Sequence, residues 1–75
     1  MENVELQDLQ RVYKAAVEDW IAAIRAEEDL ASGEPTIEHV DQWERAHFEE
    51  DEARNRALRA KKEYEGALRK ARFHF

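Results

Sequence analysis

Residues 43–52, "WERAHFEEDE", hold a Trp, a Phe, a His and six charged side chains in ten positions. Glu44 and His47 stand three apart, a spacing that puts both on one face of a helix. A carboxylate and an imidazole so placed supply two ligands for a divalent metal. In helical bundles of this chemistry, a Glu-x-x-His from each of two helices joins a Glu from each of two others. Two copies of one chain would supply that set by symmetry. A dimer-interface metal site at Glu44 and His47 is therefore one candidate function.

The remaining inventory is thin. There is no Cys, so disulfides, thiolate metal sites and thiol catalysis are excluded, which fits a reducing compartment. Ser32 and Thr36 are the only hydroxyls of their kind and fall in the turn, where capping explains them. No Gly-rich phosphate loop is present. These absences argue against an enzyme and require no cofactor. No apolar run approaches the ~18–20 residues a membrane span needs. "MENVELQDLQ" lacks the basic-apolar-small succession of a secretory signal, so a cytoplasmic location is expected.

Positioning these residues takes very few elements. With 75 residues, two Gly and one Pro, the chain has room for one small domain and almost no turns. "ASGEPT", residues 31–36, is the convincing break: Gly33 suits the end of a helix, Pro35 cannot continue one, and Thr36 can cap the next. Asn3 is a plausible cap at the front. Helix 1 is expected over about 4–31, the turn over 32–36 and helix 2 over about 37–73.

Both helices carry an apolar seam at alternating spacings of three and four, the mark of coiled-coil packing. The first runs Leu6, Leu9, Tyr13, Ala16, Trp20, Ala23, Glu27, Leu30, and Glu27 alone is not apolar. The second runs Trp43, Ala46, Glu50, Ala53, Ala57, Ala60, Tyr64, Ala67, Ala71, and Glu50 alone breaks it. An Ala-rich seam lets helix axes approach closely but buries little area per residue. The short connection forces an antiparallel hairpin, so the fold class is all-α.

Folding at the turn pairs residues whose numbers sum to roughly 67. Ile24 then faces Trp43, Trp20 faces His47, Tyr13 faces Arg54 and Leu6 faces Lys61. The end of helix 2 has no counterpart in that register, and the side of helix 1 bearing Val17, Ile21 and Ile24 stays uncovered. Both features predict a homodimer forming a four-helix bundle, with Trp20, Ile21, Ile24, Trp43, Tyr64, Leu68, Phe73 and Phe75 as its interface residues. Phe48 and Leu58 lie on another side and would suit a second protein partner. In this register the metal reading lacks a third ligand. The level facing Glu44 and His47 is apolar, Glu27 is about one turn away, and Glu50 has Ala53 instead of a His at the matching spacing. The resemblance to ferritin-like carboxylate bundles rests on "ERAH" alone.

Charge changes sign inside helix 2. Residues 1–52 hold 16 acids and 4 bases, whereas residues 53–75 hold 8 bases and 2 acids. Bases at a helix C-terminus complement the macrodipole, and across a dimer they would face the partner's acids. The net charge of −6 disfavours nucleic acid as a partner. The expected function is a non-enzymatic, self-associating interaction or scaffold module.

Overall fold

The computed structural model describes residues 2–32, 34 and 36–73. Two helices account for nearly all of them: α1, Glu2–Ala31, and α2, Ile37–Phe73. Both boundaries at the turn fall where the cap and breaker residues place them. Thr36 caps α2: its Oγ1 accepts from the backbone N–H of His39 at 3.0 Å, and its carbonyl accepts from the N–H of Val40. At the other side, Ser32 turns its hydroxyl and its N–H onto the carbonyl of Asp29. Gly33 and Pro35 lie outside the described residues. At the front, α1 already includes residue 2, and the side chain of Asn3, the expected cap, lies outside the described residues.

The helices pack side by side into a rod of 56 × 15 × 13 Å, as long as α2 itself. All eight α1 seam positions are half-buried. On α2, Ala53, Ala57 and Ala60 are 3 %, 2 % and 7 % exposed, the lowest values among the described residues. No large side chain among them is fully buried. Close approach of two backbones over an Ala stripe produces this pattern: the contact is tight, but each methyl removes little area from water.

The register differs from the one the turn alone suggests. Tyr13 stacks on Tyr64, ring centroids 6.0 Å apart, where Arg54 was expected. Trp20 meets Glu50 where His47 was expected, and His47 meets Glu27. Each displacement moves the α2 partner toward its C-terminus. Side chains lean toward the N-terminus of their own helix, which shifts contacting tips in this direction. Tyr13 is displaced by ten positions, however, ~15 Å along a helix, and even the short side chains of Ala16 and Ala60 line one groove. The axes themselves are therefore offset, with α2 beginning beyond the end of α1.

Two expectations change with the register. The C-terminal part of α2 is not left without a counterpart: Tyr64 stacks on α1, and Gly66 and Ala67 are half-buried. The overhang moves to the turn end, where Ile37 is 85 % exposed. Trp43 falls at the level of the last turn of α1 instead of Ile24, and both Trp43 and Ile24 are exposed.

Candidate functional site

The register brings together the two residues that break the seams. Glu27 and Glu50 are the only charged seam positions, one on each helix. With His47 they form a three-residue group whose candidate ligand atoms all lie within 4.8 Å of one another. His47 Nδ1 is 3.8 Å from Glu27 Oε2. The Glu27 side chain is 15 % exposed, against 63 % for His47, so the cluster runs from the seam outward to its edge. Trp20 closes the inner side, its indole Nε1–H donating to Glu50 Oε2 at 2.8 Å.

His47 and Glu50, one helical turn apart, face the same way because of their i, i+3 spacing. Glu27 reaches them from α1. Glu44, the acid three residues before His47, is exposed and takes no part in the group. The expected pair thus keeps its His, and the structure sets His47 beside the acid three positions after it. The signal was visible in the sequence as one acid interrupting each apolar stripe, but only the register shows that the two interruptions coincide.

Two like-charged carboxylates at this separation repel, and partial burial strengthens the repulsion by lowering the local dielectric. One neutral N–H and one imidazole oppose it. A cation bound among the three would offset it directly.

The flanks of the seam differ. On one, α1 places Val17, Ile21 and Ile24, and α2 places Val40, His47 and Leu68, with Leu58 just beyond. Apart from half-buried Val17, the apolar members of this set are exposed. The opposite flank is a shallow groove lined by Val12, Ala15, Ala16 and Asp19 of α1 and Arg56, Arg59, Ala60 and Glu63 of α2, where charged groups predominate at the rim.

Of the expected interface residues, Ile21, Ile24, Trp43 and Leu68 are exposed. Trp20 and Tyr64 are half-buried and engaged within the chain, with Glu50 and Tyr13 respectively. The side chain of Phe73 and all of Phe75 lie outside the described residues. Phe48 and Leu58 are 64 % and 50 % exposed. No helix among the described residues is long and apolar enough to cross a membrane.

No protein-family model, curated protein or solved structure matches the chain.

Proposed function

We propose that the hairpin is a self-associating interaction module whose open apolar flank takes a second copy of the same chain, giving a four-helix bundle. One observation carries this reading. A compact monomer of 8.9 kDa exposes about 4,800 Å² by the general scaling of surface with mass, whereas this chain exposes 6370 Å². The surplus, roughly 1,500 Å² per chain, is within the range each subunit covers in a permanent dimer. The flank bearing Ile21, Ile24, Val40, Leu58 and Leu68 is where apolar surface is available for covering.

Charge supports a second copy and suggests its direction. Residues 17–52, around the turn, hold 13 acids and 2 bases. The rest of the chain, which forms the other end of the rod, holds 5 acids and 10 bases. The rod is acidic at one end and basic at the other. Two rods side by side and head to tail bring each acidic end beside a basic end, and a two-fold axis closes the pair.

Sedimentation equilibrium at tens of micromolar tests the proposal. The expected mass is twice 8.9 kDa, moving toward the single-chain value as salt screens the ends. Ile24→Glu, at a site already exposed in the hairpin, weakens association about tenfold or more by placing a charge in the buried centre of the interface. A single-chain mass for the unmodified protein, or an association constant unchanged in Ile24→Glu, overturns the reading.

A further inference from the structure

We propose that Glu27, His47 and Glu50 form a binding site for one divalent transition-metal ion, with Zn²⁺ the ion the donor set suits best. All three ligands come from one chain, so no second copy is needed to complete the site, although His47 lies on the flank assigned to that copy. The donors are one imidazole nitrogen and two carboxylate oxygens, the mixed set that Zn²⁺ accepts in sites with three protein ligands and a fourth position left to water. Bonds of about 2.0–2.2 Å at tetrahedral angles place donor atoms about 3.4 Å apart. The observed separations, 3.8 Å for His47 to Glu27 and no more than 4.8 Å across the group, already lie near that spacing. Mg²⁺ and Ca²⁺ fit poorly, since both seek six or more oxygen ligands and two carboxylates with an imidazole do not supply them.

The surroundings favour a cation. An acid interrupts each apolar seam once, and the two acids meet at the same level with a His beside them. A charge taken partly out of water costs more than an apolar side chain of similar volume, so a seam acid calls for partners; Glu50 has the Trp20 N–H and Glu27 has His47. The Trp20 N–H behaves as a metal site's outer support does. It fixes one oxygen of Glu50 and leaves that carboxylate a second oxygen for an ion. A bound ion would link α1 to α2 through Glu27 on one helix and His47 and Glu50 on the other, clamping the hairpin near its turn.

Calorimetric titration of the chelator-treated full chain with ZnCl₂ tests the site, alongside thermal unfolding followed by helical circular dichroism. One ion per chain and a raised Tm are expected, since a ligand that binds only the folded form stabilises it. His47→Ala, Glu27→Gln and Glu50→Gln should each weaken binding about tenfold or more, equivalent to about 1.4 kcal/mol. Glu44→Gln should bind as the unmodified chain does, which separates this ligand set from one built on Glu44 and His47. His47 is largely exposed, so its replacement leaves the fold intact, and Glu50→Gln retains an oxygen for Trp20 to donate to. Absence of Zn²⁺ binding, unchanged affinity in His47→Ala and Glu27→Gln, or loss of affinity in Glu44→Gln each overturns the assignment.

Discussion

Two stretches of one helix pair contrast. Around Ala53, Ala57 and Ala60 the helices are held together by methyl groups, and the seam is as dry as the molecule allows. Nearer the turn, the same seam carries Trp20, Glu27 and Glu50, with His47 at its edge, and polar atoms face each other across it. The Ala stretch fixes how close the axes come and supplies little energy beyond that. The acid-bearing stretch uses the resulting register to assemble three groups from two helices. Geometry is set in one place and chemistry is presented in the other.

Breaking the first stretch should have the larger effect. Ala57→Leu forces a bulky side chain into a contact that leaves Ala57 only 2 % exposed. Overpacking of this kind costs about 1–3 kcal/mol. In so small a domain that is a large share of the total, and it appears as loss of helical signal on heating or in urea. Because the register depends on that contact, Ala57→Leu should also weaken Zn²⁺ binding although it touches no ligand. Unchanged stability would mean the Ala stripe does not set the spacing.

At the other extreme, Asp8→Asn removes the 3.2 Å ion pair with Arg11, whose partners are 59 % and 75 % exposed. Exposed pairs of this kind contribute about 0–1 kcal/mol, so the Tm should barely move. A marked loss would show that the surface of α1 supports the fold more than either seam stretch.

The sequence exposes some of this clearly. Helix bounds at the turn follow from Ser32 and Thr36, whose hydrogen bonds have local causes. The seam positions follow largely from their spacing: every expected α1 member is half-buried, whereas Trp43 and Ala71, at the two ends of the α2 seam, are exposed. The register was less accessible, because counting residues from the turn assumes that both helices begin level with it, whereas α2 runs past the end of α1. That offset separates Tyr13 from Arg54 and delivers it to Tyr64. The same assumption placed Glu27 a turn away from His47, while the spacing of three had already singled out Glu44. Local spacing reads Glu44-x-x-His47 and His47-x-x-Glu50 equally well. Only a contact between the helices distinguishes them, and that contact depends on the register.

The most direct test of the contrast is the unfolding free energy of a Glu27→Leu, Glu50→Gln double variant, which keeps an oxygen for Trp20 to donate to, measured in urea with and without Zn²⁺. If the acids are kept for a ligand and not for the fold, the metal-free variant should be more stable than the unmodified chain. The gain expected is about 1–2 kcal/mol, the low end of the range for replacing buried charges because these are only partly buried. Added Zn²⁺ should then stabilise the unmodified chain and leave the variant unchanged. A metal-free variant less stable than the unmodified chain, or one that Zn²⁺ stabilises equally, would contradict the division of labour between the two stretches.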